Sequence, residues 1–242
     1  MELVEKKQGA TSTMMLKQGL TVGIPIILGY LPIAITYGVL AKQAGLSLLE
    51  LTMMSVLVYA GASQFMGVNM IAVGVGAMEI IIATFILNSR HFVMSLSFMH
   101  AIRDMKTAWR FPLTLTLTDE SFAVSSMHTD AVSKKHGKWF YISLFFTAYL
   151  SWIFGSFLGG VLGEIIPDKL SQSMGIALYA MFIGLLVPTV KKELKLACIA
   201  IIAMLIHTLC SEVFHLSTGW AIVIATILGG FSGVFLMKEQ ES

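Results

Sequence analysis

Long apolar runs that carry few charges follow one another along almost the whole chain. They cover approximately residues 20–41, 48–74, 75–101, 111–127, 139–163, 171–190, 196–214 and 219–237. Most approach the roughly 20 residues that cross a hydrocarbon core as a helix, and none has the alternation of an outer-membrane strand. Only helices satisfy their backbone groups within one lipid-exposed segment. The pattern therefore predicts an all-α polytopic membrane protein with about six to eight membrane segments.

The positive charges between these runs predict the orientation of the chain in the membrane. Basic stretches lie at residues 6–17, 103–110, 134–138, 191–195 and, weakly, at Lys238. The loops near 42–50, 164–169 and 215–219 are poor in positive charge. Because Lys and Arg favour cytoplasmic loops, both termini are predicted to be cytoplasmic. A single transmembrane domain, 19–237, then lies between a cytoplasmic segment, 1–18, and a cytoplasmic tail, 238–242. No apolar region precedes Leu20, so the first run is expected to be a permanent span.

Two of the runs cannot be simple crossings if this orientation holds. If every run crossed fully, the basic 103–110 loop would lie outside. The conflict disappears if 48–74 and 111–127 are interrupted, either as re-entrant segments or as broken spans. The first run contains Gly61-Ala62-Ser63-Gln64, and the second starts at Pro112 and holds Asp119-Glu120 in its centre. Irregular backbone is tolerated at membrane depth only inside protein or beside a cavity.

The composition excludes a soluble chain and several classes of function. Hydrophobic residues make up 56% of the chain and charged residues 12%, which is about half the charged share of a soluble domain. The net charge of +2 is small and scattered, and it predicts no nucleic-acid partner. The chain has no phosphate loop, nucleophile elbow or His/Cys set with metal spacing. The sequence therefore predicts neither an enzyme nor a bound metal or other cofactor.

The polar residues inside the apolar runs are the candidate functional groups, because such residues are costly in lipid. In the Gly61-Ala62-Ser63-Gln64 segment, the glycine loosens the helix, and Ser and Gln offer donors and acceptors to a ligand. Close packing of small residues against another helix is the alternative interpretation.

Asn88-Ser89-Arg90-His91 places a fixed cation between two apolar stretches. Arg90 needs an acidic partner, a cage of carbonyls, water or a substrate carboxylate, unless it lies at a helix end and extends to the interface. With Asn88 it is predicted to bind substrate.

The adjacent carboxyl groups of Asp119 and Glu120 would repel each other if both were ionised, so one of them is a natural proton carrier. Pairing with Arg90 or a polar turn at the interface are the alternatives. His91 and Glu79 are further candidates for proton coupling, although Glu79 also fits a solvated helix end.

A weak internal similarity also links the two halves of the chain. Gly38-Val39-Leu40 can be aligned with Gly160-Val161-Leu162, which lies 122 residues later. Transporters often arise by duplication, but chance matches of this quality are common in apolar chains.

Three ordered motifs resemble the AzlC family of branched-chain amino acid transporters. The first runs from Tyr37-Gly38-Val39-Leu40-Ala41 to Tyr59-Ala60-Gly61-Ala62-Ser63-Gln64-Phe65. The second, Asn88-Ser89-Arg90-His91, is similar to the Asn-x-Arg-His signature of that family. The third, Leu117-Thr118-Asp119-Glu120-Ser121-Phe122-Ala123, is similar to its Thr-Asp-Glu motif. The resemblance is clear over about residues 18–190 and only generic in the last two spans.

The resemblance implies an exporter of valine, leucine and isoleucine in a bacterial plasma membrane. It also implies a small membrane partner subunit of the AzlD type. The physical interpretation is a secondary transporter, coupled to protons, in which Asp119 or Glu120 accepts the substrate ammonium. Arg90 or the Gly61–Gln64 backbone would then bind the substrate carboxylate. A channel for a small neutral or cationic solute and a membrane scaffold without transport activity are the alternative functions.

Overall fold

The computed structural model describes residues 11–131, 136–167, 173 and 176–237. The helices are α1 Ser12–Gln43, α2 Leu48–Leu57, α3 Gly61–Ala72, α4 Ala77–Ala101, α5 Thr107–Leu115, α6 Asp119–Ser126, α7 Lys138–Leu162, α8 Ile176–Lys192, α9 Lys195–Thr208 and α10 Thr218–Met237. The described residues contain no strand, and the predicted all-α class is confirmed. Most of the predicted cytoplasmic segment 1–18, and the tail 238–242, lie outside the described residues.

Among the described residues, five helices are long and apolar enough to cross a membrane. They are Ser12–Gln43, Ala77–Ala101, Lys138–Leu162, Lys195–Val213, which includes a π-helical turn after α9, and Gly219–Leu236. Large apolar side chains on these helices face outward, and Phe85 and Phe92 on α4 are 74% and 68% exposed. Such exposure would be unfavourable in water, whereas in a bilayer lipid covers these side chains.

The described chain forms two compact units, and three helices change from one unit to the other along their length. The first unit comprises Met1–Ala34 and His91–Gly155. The second comprises Ile35–Arg90 and Ser156–Ser242. The changes fall inside α1, α4 and α7.

In the first unit, the early parts of α1 and α7 pack side by side in the same direction. Ser12 Oγ lies 3.1 Å from His136 Nδ1 at one end, and the rings of Tyr30 and Trp152 meet edge to face at 5.4 Å further along. Between them, Gly19 lies so close to α7 that a Cβ there would collide with the carbonyl of Phe140. A small residue therefore permits the close approach of the two backbones.

In the second unit, the later parts of α1 and α7 are packed backbone to backbone. A Cβ added to Gly38 would collide with the Ser156 carbonyl and lie 2.6 Å from the Gly160 nitrogen. Lys42 Nζ and Glu164 Oε1 form an ion pair at 2.9 Å. The segments that the internal similarity aligns, around Gly38 and Gly160, thus pack against each other. Whether they descend from a duplication stays a prediction.

The predicted interruption of the 48–74 run is present, and α2 and α3 form a hairpin within the second unit. Gln64 Nε2 on α3 donates a hydrogen bond to Ser55 Oγ on α2 at 2.9 Å, so the chain doubles back between them. The start of α2 and the end of α3 also line one open groove of about 570 Å³, to which Glu50 and Ile71 contribute. Tyr59 lies between the two helices and has φ +44°. This left-handed conformation is uncommon for a residue other than glycine and is typical of a turn.

The predicted interruption of the 111–127 run forms a second hairpin, within the first unit. Helix α5 runs antiparallel along α4, as two hydrogen bonds between them show. Arg110 Nη2 donates to the Met99 carbonyl at 2.9 Å, and Ser95 Oγ donates to the Thr114 carbonyl at 3.4 Å. Helix α6 then returns towards the start of α7, where the Tyr141 hydroxyl donates to the His128 carbonyl at 3.0 Å.

Both ends of this second hairpin lie at the same end of the first unit. The ammonium of Lys138, at the start of α7, lies 4.4 Å from the ring centroid of Trp109, at the start of α5. The chain around Trp109 belongs to the basic 103–110 stretch, so this stretch and Lys138 share one end of the unit. That arrangement is the one that the charge pattern required.

The residues that make the interruptions differ from the predicted ones. Gly61 is the first residue of a regular helix, and the left-handed backbone conformation falls on Tyr59 instead. Pro112 lies inside α5, and that helix ends three residues later, at Leu115. Pro112 is the sixth residue of α5 and has no N–H to donate to the carbonyl four residues earlier, so it weakens the helix shortly before the helix ends.

Candidate functional site

The first hairpin turns around a buried group of polar side chains. Gln64, Ser55 and Ser156 are all 0% exposed. Gln64 Nε2 donates to Ser55 Oγ at 2.9 Å, and Ser55 Oγ donates to Ser156 Oγ, on α7, at 2.7 Å. Buried polar atoms need such partners because an unmet donor or acceptor costs about 1–3 kcal/mol. This buried polar cluster gives the hairpin a defined position against α7.

The start of α3 lies in the same hairpin. Ala60 precedes the helix and provides no side-chain cap for its first N–H groups. Ser63, in that first turn, donates a short hydrogen bond from Oγ to Asn88 Oδ1 on α4. Phe65 packs edge to face on Tyr37, with ring centroids 5.7 Å apart. The turn is therefore polar on one side and aromatic on the other.

The remaining predicted residues of the second unit lie on α4. Arg90 is half-buried, two residues after Asn88. Glu79 lies in the first turn of the same helix and accepts hydrogen bonds at the start of α10. Its Oε1 accepts from Ser217 Oγ at 2.5 Å and from the Gly219 amide at 2.8 Å. Glu79 thus caps α10 from another helix, where a carboxylate complements the positive end of the helix dipole.

The second hairpin places the acidic pair at the start of α6. Thr118 caps this helix, since its side chain accepts from the Ser121 amide, and Asp119 and Glu120 form the first turn. The hydroxyl of Tyr30, on α1, lies 2.6 Å from Glu120 Oε2 and 2.6 Å from Thr118 Oγ1. Tyr30 is only 5% exposed, so this contact is made inside the protein.

His91 lies beside the same turn from α4. Its Nδ1 is 3.1 Å from the carbonyl oxygen of Leu117, which accepts only, so Nδ1 carries the hydrogen. The imidazole therefore holds the backbone of the residue that precedes the Thr118 cap.

Within each unit, the structure brings several of the predicted site residues together. Ser63 bonds Asn88, and Gly61, Ala62 and Gln64 share its turn in the second unit. His91, Asp119 and Glu120 belong to the first unit, whereas Arg90 belongs to the second.

Sequence reasoning missed three polar partners at these hairpins. They are Ser55, Ser156 and Tyr30. Ser55 and Ser156 are hydroxyls in otherwise apolar runs, and this isolation was a usable signal. Tyr30 gave no such signal in the sequence, because a tyrosine between Gly29 and Pro32 is typical of an aromatic residue at the membrane interface.

Proteins of several organisms are similar in sequence to this chain over most of its length. The family model described as "AzlC protein" matches residues 25–166. An uncharacterized membrane protein of Helicobacter pylori is 30% identical over 223 residues, which are 90% of this chain and 93% of the relative. Inner membrane protein YgaZ of Escherichia coli is 27% identical over 80% of both chains.

A third relative has a name that states a function. The Branched-chain amino acid transport protein AzlC of Bacillus subtilis is 25% identical over 172 residues, which are 71% of this chain and 66% of the relative. No solved structure gives a significant match. The family match includes both hairpins, the α4 motif and all of α7. The chain belongs to the AzlC family and is a membrane transport protein.

Proposed function

We propose that this protein is a secondary transporter that exports valine, leucine and isoleucine, driven by the proton gradient. The observation that carries the proposal is the buried polar hairpin turn in a chain of a transport family. Gln64 and Ser63 are 0% and 2% exposed and lie in a chain whose outer surface is apolar. Polar groups at such positions mark solute pathways in membrane proteins. The name of the Bacillus subtilis relative supports the substrate class.

The first hairpin suits the carboxylate and the side chain of a branched-chain amino acid. The uncapped start of α3 offers backbone N–H groups and the positive end of a helix dipole, which is a recurrent way to bind a substrate carboxylate in transporters. Phe65 and Val58, on either side of the turn, supply apolar surface for the side chain. Arg90 is the further candidate for the carboxylate.

The second hairpin suits the coupling of transport to protons. Asp119 and Glu120 are both half-buried, and Glu120 receives a hydroxyl from a buried tyrosine. One carboxylate of the pair would accept the substrate ammonium and the other would carry the proton, with His91 and Glu79 as further coupling candidates.

The proposal includes a small membrane partner subunit of the AzlD type and a location in the bacterial inner membrane. The name of the Escherichia coli relative supports that location. The basic stretches favour a cytoplasmic location of both termini, and residues 19–237 would act as one transport domain.

Counterflow in proteoliposomes tests the proposed function directly. Vesicles that contain the chain with its small partner are loaded with unlabelled valine, and labelled valine is added outside. Saturable entry of label, inhibited by leucine and isoleucine and not by lysine, is the expected result. An imposed pH gradient should then drive net accumulation, which a protonophore abolishes. Non-saturating, voltage-driven flux would identify a channel instead, and absence of all flux with the partner present would contradict transport.

A further inference from the structure

We propose that Glu120 is the carboxylate that gains and loses the coupling proton, and that Tyr30 is its positioning residue. The inference rests on the proposed proton-coupled transport and deepens it, since the sequence left four candidates for this proton. The geometry behind it is a chain of hydroxyl groups that runs from Glu120 through Tyr30 and Thr118 to Ser121. The successive oxygen-to-oxygen distances are 2.6, 2.6 and 3.0 Å.

This chain satisfies every hydroxyl hydrogen when Glu120 is ionised. An ionised carboxylate only accepts, so Tyr30 donates to Glu120 Oε2. The Tyr30 oxygen then accepts from the Thr118 hydroxyl. Ser121 Oγ donates to the Thr118 carbonyl at 3.2 Å. No donor is left without an acceptor in this arrangement.

The same heavy atoms also satisfy every hydrogen when Glu120 is protonated. The carboxylic acid donates to the Tyr30 oxygen, and Tyr30 rotates its hydrogen towards Thr118 Oγ1. The Thr118 hydroxyl in turn donates to Ser121 Oγ at 3.0 Å, while Ser121 keeps its own bond to the Thr118 carbonyl. Each hydroxyl is both donor and acceptor, so only hydrogens move between the two states.

This reversibility is what a proton carrier in a buried site requires. A buried donor or acceptor that loses its partner costs about 1–3 kcal/mol, and such a cost in either state would oppose the cycle. The ring of Tyr30 is also held in place, because it packs edge to face on Trp152 at 5.4 Å and is 5% exposed. The phenol oxygen therefore stays between Glu120 and Thr118 in both states.

The titratable groups around Glu120 in this unit come from three helices. Helix α1 contributes Tyr30, α4 contributes His91 through its bond to the Leu117 carbonyl, and α6 contributes the neighbouring Asp119. Helix α7 presents the indole of Trp152, which does not titrate. Among these groups, Glu120 is the carboxyl group at the end of the hydroxyl chain.

Infrared difference spectra of the full chain in lipid, recorded between low and high pH, test the assignment. Wild type and Asp119→Asn should share one component of the carboxylic-acid carbonyl bands, which disappears as pH rises, and Glu120→Gln should lack that component. Tyr30→Phe should move this band, because the carboxyl group loses its phenol partner. The matched control is Tyr141→Phe, which removes another fully buried hydroxyl that donates to a backbone carbonyl, at 3.0 Å, and should leave the band in place.

The outcomes separate this inference from the transport function. If Tyr30→Phe does not fold, Glu120→Asp retracts the carboxyl group from Tyr30 and must move the band in its place. Loss of the band in Asp119→Asn, or its persistence in Glu120→Gln, would overturn the inference. A band that neither Tyr30→Phe nor Glu120→Asp moves would also overturn the inference. Valine exchange by the wild-type protein, measured in the same vesicles, tests transport independently of the band, because exchange needs no net movement of protons.

Discussion

Gln64 is the residue at which the apolar pattern of the chain is most clearly violated. A primary amide with no exposed surface, in a segment that enters the membrane, is tolerated only when its donors and acceptor have partners. Ser55 accepts one of its hydrogens and in turn donates to Ser156. Under the proposed function, a substrate that enters the hairpin would exchange hydrogen bonds with the amide group of Gln64.

Replacing Gln64 with Leu should reduce valine counterflow by about tenfold or more, because losing one hydrogen bond to a charged group costs roughly 1.5–3 kcal/mol. The protein should still insert and fold, since Ser55 keeps its bond to Ser156. The matched control is Gln18→Leu, the same chemical change at a half-buried position on α1 away from the hairpins. Counterflow at the wild-type rate in Gln64→Leu would favour the packing interpretation of the Gly61–Gln64 segment.

At this scale the sequence identified the polar residues but not their partners. Ser63 and Gln64 were predicted because a polar pair in an apolar run is visible in one dimension. Their contacts with Asn88 and Ser55, and the extension to Ser156, depend on how the helices fold back and pack. The sequence also predicted that Gly61 loosens the helix, because glycine is the residue that most readily adopts a positive φ. In the structure, Tyr59 has the positive φ instead.

The elements of the fold are defined by close helix packing as well as by the two hairpins. Helices α1 and α7 approach so closely in the second unit that Gly38 and Gly159 leave no room for a Cβ. In lipid, where burial of apolar surface does not drive helix association, this backbone contact contributes much of the stabilisation. Helix lengths and the existence of the two interruptions followed from the apolar runs and the charge pattern. Their hairpin form did not, because a broken span has the same sequence pattern.

Gly38→Ala should lower the thermal unfolding midpoint of the purified protein, because overpacking a tight contact costs about 1–3 kcal/mol. The added Cβ would collide with the backbone of α7. Gly29→Ala is the matched control on the same helix, since nothing lies within 4 Å of a Cβ at Gly29. That change should raise stability by up to about 1 kcal/mol through helix propensity. Equal stability of the two variants would show that the α1–α7 contact does not limit the fold.

The whole molecule has apolar helix exteriors, basic loops and two hairpins, and in the proposed topology each hairpin returns to the side from which it enters. Each hairpin was inferred from contacts within its own unit, namely Gln64 with Ser55 in one and Arg110 with Met99 in the other. Together the hairpins reconcile the basic 103–110 loop with a cytoplasmic location. The transport proposal depends on this topology, because polar hairpin turns reach membrane depth only if the hairpins enter and leave on one face.

Labelling of single cysteines in intact cells with an impermeant thiol reagent tests this topology most directly, in a background without Cys198 and Cys210. Exposed positions flank each hairpin: Gln43 and Val73 the first, Lys106 and Thr129 the second. Gln43→Cys and Val73→Cys should both be labelled from outside, whereas Lys106→Cys and Thr129→Cys should both react only after the cells are permeabilised. Labelling of the two flanks of either hairpin from opposite faces would show that the segment crosses the membrane, and would contradict the account.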